Sequence, residues 1–207
     1  MKLVIFDCDG TLVDSEFLCN LVLEHQLAEL GVKSTAEELL GKYRGAKLAV
    51  ILSSLESDFS ISLPASFEQE YRNKVSTLFE QHLTPNIGGK EVLESLSIPY
   101  CIASSVPRNK IEKALKVKEL ANHFEHNIYS SYEVGSWKPE PDLFLHAAKE
   151  MGFRPEDCYV VEDSLLGLEA ATNAKMKAVY YAPQVQEKNQ YGAFQIQNML
   201  ELAEIIT

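Results

Sequence analysis

Leu3-Val4-Ile5-Phe6-Asp7-Cys8-Asp9-Gly10-Thr11-Leu12-Val13-Asp14 is the stretch whose reading decides the fold. Its apolar run, Leu3 to Phe6, predicts a strand buried on both faces, as in a parallel sheet covered by helices. The run stops at Asp7-Cys8-Asp9-Gly10. Two carboxylates that close repel each other, so one takes up a proton or both hold a cation. Carboxylate oxygens suit a hard octahedral Mg²⁺, which keeps several waters and needs only one or two protein carboxylates. The competing reading is a solvated turn, since Asp and Gly are common turn residues. With side chains alternating along a strand, Cys8 points away from the carboxylates, toward core packing.

Outward from this strand the hydrophobic period changes. Residues 15–31 carry Phe17, Leu21, Val22, Leu27, Ala28 and Leu30 at helical spacing, with Gly31 as a stop. Further helices are predicted at 35–42, 45–56 and 66–82, the last on Phe67, Tyr71, Val75, Leu78 and Phe79. This block, residues 15–84, reads as an inserted α-helical cap, and Pro85 and Gly88-Gly89 mark the return to a core of residues 1–14 and 85–207. Strands at 100–103, 127–129, 159–161 and 178–181 then alternate with helices at 89–96, 107–116, 140–151, 164–174 and 197–206. The fold class is therefore α/β, a doubly wound parallel Rossmann-like sheet with an inserted helical cap.

In such sheets ligands bind outside the C-terminal ends of the strands. That rule brings Asp7, Asp9, Ser104 and Asp163 together, because each follows a predicted strand. Ser104 and Ser105 precede a helix opened by Pro107, so a hydroxyl and helix N–H groups face the same point. Ser164 is placed to cap the helix after Asp163. Gly167 lets that helix approach the sheet closely.

DCDGTLVD, Ser104, Lys138 in WKPEPD and Glu162-Asp163 in VVEDS resemble, in order, the four motifs of the haloacid dehalogenase-like hydrolases. The likeness covers essentially the whole chain and is nearest the β-phosphoglucomutase-like phosphatases with a helical cap, among them 6-phosphogluconate-type phosphatases. It implies that Asp7 attacks phosphorus to give an aspartyl-phosphate, while Asp9 serves as acid and then base. It also implies Mg²⁺ held by Asp7, by the backbone carbonyl of Asp9 and by Asp163, with Glu162 as a further ligand or a partner behind one. Ser104 and Lys138 would bind the phosphate, lysine acting as a point charge. In the related mutases a histidine lies five residues after the last aspartate of the first motif. Here that position is Cys19.

Bulk properties narrow the partners. The chain has 207 residues, 46% hydrophobic and 24% charged, with a net charge of −11. That balance excludes nucleic acid and anionic membrane as partners, and leaves any anion to be caught by local positive charge. No apolar run is long enough to span a membrane, and no leader pattern precedes the first strand. Cys8, Cys19, Cys101 and Cys158 lack metal-ligand spacing and are expected to be free thiols in the cytoplasm. Gly41-Lys42-Tyr43-Arg44-Gly45-Ala46-Lys47 is a basic stretch between cap helices, and Lys42, Arg44 and Lys47 are candidate contacts to a substrate's far end. The expected activity is Mg²⁺-dependent hydrolysis of a small phosphorylated metabolite, a sugar phosphate or phosphorylated sugar acid, by a monomer or weak homodimer. A phosphomutase is the alternative. A phospho-accepting receiver domain fits less well, because its acceptor aspartate follows a middle strand and it has no helical insertion.

Overall fold

In the computed structural model, which describes residues 1–117, 119–183 and 189–206, Leu3–Phe6 forms β1, and all its residues are buried. The burial comes from a parallel neighbour on each side, β2 (Tyr100–Ser104) and β4 (Cys158–Glu162). Outside β2 lies β3 (Ile128–Ser130), and beyond β4 lie β5 (Lys177–Tyr181) and β6 (Phe194–Ile196). The result is a six-stranded parallel sheet in the order β3-β2-β1-β4-β5-β6. Val4 and Phe6 enter the apolar cluster on one face, Leu3 and Ile5 that on the other. The chain builds outward from β1 in one direction, then returns to build in the other, so its crossovers diverge between β1 and β4.

Between β1 and α5 (Gly89–Ser95) come α1 (Glu16–Glu29), α2 (Ala36–Tyr43), α3 (Leu48–Phe59) and α4 (Phe67–His82). Gly31 ends the first of these with φ at +78°, a conformation that glycine adopts without penalty. Thr35 and Glu38 form a reciprocal capping box on α2. Phe67, Tyr71, Val75 and Phe79, spaced by four, bury one side of α4, and α1 packs against both α2 and α4. The two passages between helices and sheet run side by side. Val13 bridges to Pro85, and Asp14 N donates to Thr84 O at 2.8 Å. Asn86 Nδ2 donates to the carbonyls of Gly10 and Thr11, both at 2.8 Å, tying the returning segment to the turn that follows Asp7.

The remaining helices are α6 (Arg108–Val117), α7 (Ser131–Val134), α8 (Asp142–Glu150), α9 (Leu165–Asn173) and α10 (Leu202–Ile205). Cys8, Cys101 and Cys158 are buried, and all four cysteines are free thiols. Among the described residues no helix is long and apolar enough to cross a membrane.

Four elements differ from the sequence expectation. The helix predicted over 45–56 begins at Leu48, because Gly45 has φ at +76°, which a right-handed helix excludes. The single turn α7 and the short strand β6 are additions; each is too brief to show a period. The helix predicted over 197–206 is a 3-10 turn, Met199–Glu201, running into the short α10.

Candidate active site

Asp7 immediately follows β1 and is 5% exposed. Lys138 Nζ donates to Asp7 Oδ1 at 2.7 Å and also to Glu162 Oε1, so one ammonium ties the tips of β1 and β4 together. Burial opposes the Lys138 charge, but Asp7 and then Glu162 more than offset that cost and hold it above the usual lysine range. Burial also raises the Asp7 carboxyl to about 6; Lys138 opposes the rise, and Glu162 and Asp9 add to it.

Glu162 is fully engaged. Its Oε2 accepts from Ser164 N and Ser164 Oγ, both at 2.8 Å, while Lys138 holds the other oxygen. Ser164 caps α9 by accepting from Gly167 N. A Cβ at position 167 would lie 1.9 Å from Glu162 Cδ, so this packing requires glycine. With both oxygens occupied, Glu162 stands behind Asp7 as the partner of its lysine.

Asp163 is 5% exposed and differs in kind. Its Oδ1 accepts from Thr11 Oγ1 at 3.1 Å, whereas its Oδ2 is buried with no hydrogen-bond partner. Burial, with Glu162 next, raises its carboxyl well above the ordinary range. Asp7, Glu162 and Asp163 each present an oxygen within 4.8 Å of the others. Three buried carboxylates facing Lys138, with the Arg44 guanidinium no nearer than 3.8 Å to Asp163, leave negative charge uncompensated, and a buried oxygen without a hydrogen bond costs free energy. A hard divalent cation satisfies both demands, and the donor set fits Mg²⁺.

Asp9, two residues on, is held on both oxygens: Ser15 Oγ donates to Oδ1 at 2.8 Å, and Lys110 Nζ engages Oδ2. Burial disfavours the Lys110 charge, but Asp9 outweighs it and raises the ammonium above its ordinary range. Lys110 escapes sequence reading, although a cation in the first turn of a helix runs against the helix dipole and is itself a signal. Ser15 is also missed: it precedes α1 but makes no side-chain cap and bonds Asp9 instead. Glu16 is a third omission. Burial and then Asp9 raise it to about 7, with Lys110 and Arg44 opposing.

Ser104 ends β2 almost fully buried, and the Ser105 hydroxyl is buried without a partner. Both face a cavity of about 450 Å³ lined by Asp7, Asp9, Lys138 and Asp163 below and by α1, α3 and α4 above. The volume is that of a site for a small molecule.

The basic stretch reaches the site only in part. Gly45 sits against Ser164, where a Cβ would come within 2.6 Å, so the loop does descend to the strand tips. Lys42 belongs to the last turn of α2, is 55% exposed, pairs with Asp58 at 2.7 Å and does not line the cavity; its expected substrate contact is corrected accordingly. Arg44 also lies outside the lining, with Nε 3.8 Å from Asp163 Oδ2. Lys47 lines the cavity, its ammonium 3.3 Å from the Trp137 ring centroid. Gly41 lies inside α2, which is why the loop is shorter than the glycines imply.

A sheet of this order, with carboxylates, a serine and a lysine converging at the β1 and β4 tips, is matched by a family model. Residues 4–181 fit the model of the haloacid dehalogenase-like hydrolases. The chain belongs to that family and is an enzyme of its phosphatase class. Among its relatives, the 6-phosphogluconate phosphatase of Escherichia coli (strain K12) is 32% identical over 182 residues, spanning 87% of this chain and 82% of that protein. The β-phosphoglucomutase of Bacillus subtilis (strain 168) is 31% identical over 189 residues, spanning 86% and 83%. A haloacid dehalogenase-like protein from Agrobacterium tumefaciens str. C58, of known structure, superposes with a TM-score of 0.87 at 32% identity, covering 100% of this chain and 97% of its own.

Proposed function

We propose that this enzyme hydrolyses the phosphate ester of a small sugar or sugar acid through an aspartyl-phosphate on Asp7. The observation that carries the reading is the buried pairing of Asp7 with Lys138 at 2.7 Å beside an Asp163 oxygen that accepts no hydrogen bond. Asp7, Asp163 and the backbone carbonyl of Asp9 would hold Mg²⁺. When bound, the ion neutralises negative charge on the phosphoryl oxygens and the nucleophile.

In the first half-reaction an Asp7 oxygen forms a bond to phosphorus as the ester P–O bond breaks, and Asp9 gives its proton to the departing alkoxide. In the second, Asp9 takes a proton from water as the water oxygen attacks phosphorus, releasing inorganic phosphate and restoring Asp7. Lys138 keeps Asp7 aimed and shares the phosphate charge, while Ser104, Ser105 and the first N–H groups of α6 supply donors to the phosphoryl oxygens. The helices of residues 15–84 cover the cavity and exclude bulk water.

Hydrolysis is favoured over phosphoryl transfer back to the sugar. Cys19 lines the cavity where the related mutases carry histidine, and burial pushes its thiol up to about 12. A neutral thiol of that strength shares no proton with a sugar hydroxyl near neutral pH.

Release of phosphate from sugar phosphates with Mg²⁺ present tests the reading. Asp7→Asn keeps the size of the side chain and removes the nucleophile, so turnover should fall by roughly a thousandfold or more with the fold intact. Wild-type turnover by that variant would exclude the covalent route. Efficient interconversion of hexose 1- and 6-phosphates with little free phosphate would exclude the hydrolase assignment.

A further inference from the structure

The inner face of α4 buries Phe67, Tyr71, Val75 and Phe79, but a second stripe, Gln69, Arg72, Asn73 and Ser76, lines the catalytic cavity. Asn109 and Lys113 of α6 join it, and Lys113 Nζ bonds Ser76 Oγ, so the two helices form one polar wall. The stripe starts near Asp9: Phe79, three residues beyond Ser76, lies under the Lys110 ammonium that holds Asp9. From Ser76 to Gln69 the helix rises about 10 Å away from that point.

The cations lining the cavity differ in what holds them. Lys110 is committed to Asp9, Lys138 to Asp7 and Glu162, and Lys47 lies on the Trp137 ring. Arg72 and Lys113 instead pair with exposed carboxylates, Arg72 also meeting the half-exposed Tyr132 hydroxyl. Arg72 Nη2 meets Glu68 Oε1 at 2.7 Å, Glu68 being 50% exposed. Lys113 meets Glu80 Oε1 at 2.6 Å, Glu80 being 58% exposed. Such exposed pairs are weak and exchange readily for an anion presented inside the cavity. Arginine then offers a fork to a carboxylate, and the amides of Gln69, Asn73 and Asn109 can donate to and accept from hydroxyls.

We propose that Arg72 and Lys113 are specificity-determining residues that hold a carboxylate at the end of the substrate remote from its phosphate, with Gln69, Asn73 and Asn109 bonding the hydroxyls between. The substrate class is thus a linear phosphorylated polyhydroxy acid. A two-carbon acid would leave the upper part of the wall untouched. The inference rests on the phosphatase reading above and assigns its selectivity to α4 and α6 instead of the basic loop after α2.

The test compares kcat/KM on 6-phosphogluconate with that on sorbitol 6-phosphate, the same carbon chain with a hydroxymethyl group in place of the carboxylate. Wild-type enzyme should prefer the acid. In Arg72→Met and in Lys113→Met the acid-to-alcohol ratio should fall by roughly ten- to a hundredfold, the worth of a charged hydrogen bond. Arg72→Lys should restore part of the ratio, and circular dichroism should show each variant folded. A ratio near one in the wild type, with both esters hydrolysed, overturns the inference and leaves the phosphatase reading standing. Equal losses on acid and alcohol in both variants overturn it too, assigning the pair to support of the cavity wall. Failure of wild-type enzyme with Mg²⁺ on both esters and on p-nitrophenyl phosphate overturns the phosphatase reading itself, and this inference with it.

Discussion

Gly167 shows how one residue without a side chain sets the charge at this site. Because nothing projects from it, Glu162 folds back over α9, accepts from Ser164 and passes its other oxygen to Lys138, which aims Asp7. Gly167→Ala places a methyl group 1.9 Å from Glu162 Cδ, so the carboxylate must move and take the lysine with it. Overpacking of this kind costs about 1–3 kcal/mol of stability, and turnover should fall further than stability because Lys138 loses its second anchor. A thermal melt beside a phosphate-release assay checks both; a variant with normal turnover would show that Glu162 is not needed to hold Lys138. The convergence of Asp7, Asp9, Ser104 and Asp163 at strand ends, and of Lys138 in the loop before α8, was legible in the sequence because each sits beside a strand end or in a family motif. Lys110, Ser15 and Glu16 were not. They depend on which residues of two separate helices meet Asp9, and no local period encodes that meeting.

At the scale of elements, legibility follows length. Helices of eight or more residues announce themselves by period, whereas α7 and β6 do not. The connection between α2 and α3 is the instructive case. Counting cations predicts a substrate-reading loop, but one glycine at positive φ delays α3 by three residues and leaves Lys42 on α2, turned to Asp58. Arg44 ends beside Asp163, at the carboxylate that would share the metal, and it works against the rise in that group's proton affinity. Taken as a contact to a substrate's far end, Arg44 predicts that Arg44→Ala costs activity on a substrate with an anionic or hydroxyl-rich end and leaves p-nitrophenyl phosphate nearly unaffected. The geometry instead predicts parallel losses in kcat/KM on 6-phosphogluconate and on p-nitrophenyl phosphate, because both use the same carboxylate. Steady-state kinetics on the two esters decides; a loss confined to the sugar acid would return Arg44 to the role of substrate reader.

For the whole molecule, net charge of −11 and a buried carboxylate cluster make cation binding a matter of stability as well as chemistry. In the folded chain without metal, Asp7 titrates at about 6 against an ordinary 3.8, chiefly through burial. Glu16 titrates at about 7 against 4.5, and Asp163 lies well above 3.8, for the same leading reason. A carboxyl raised on folding binds its proton more tightly in the native state than in the unfolded chain. Its contribution to stability is therefore complete below the unfolded value near 4 and is lost as pH climbs through about 6 to 7. On the strength of these groups, metal-free protein should accordingly melt at a lower temperature at pH 7.5 than at pH 5. Mg²⁺ held there, as proposed, would act in the opposite direction, since it would bind the ionised cluster and compete with the protons. At a concentration about a hundred times its dissociation constant, a ligand of the native state adds about 2.7 kcal/mol, which for a chain of this size is a rise in Tm of roughly 5–10 °C. The rise should be largest at pH 7.5, shrink toward pH 5, and be largely absent in Asp163→Asn, which keeps the size of the side chain while removing its charge. Thermal melts with Mg²⁺ and with a chelator, at both pH values and on both proteins, read this directly. A Mg²⁺ effect of equal size at pH 5 and pH 7.5, or one retained in full by Asp163→Asn, would mean that the ion stabilises the molecule somewhere other than the tips of β1 and β4.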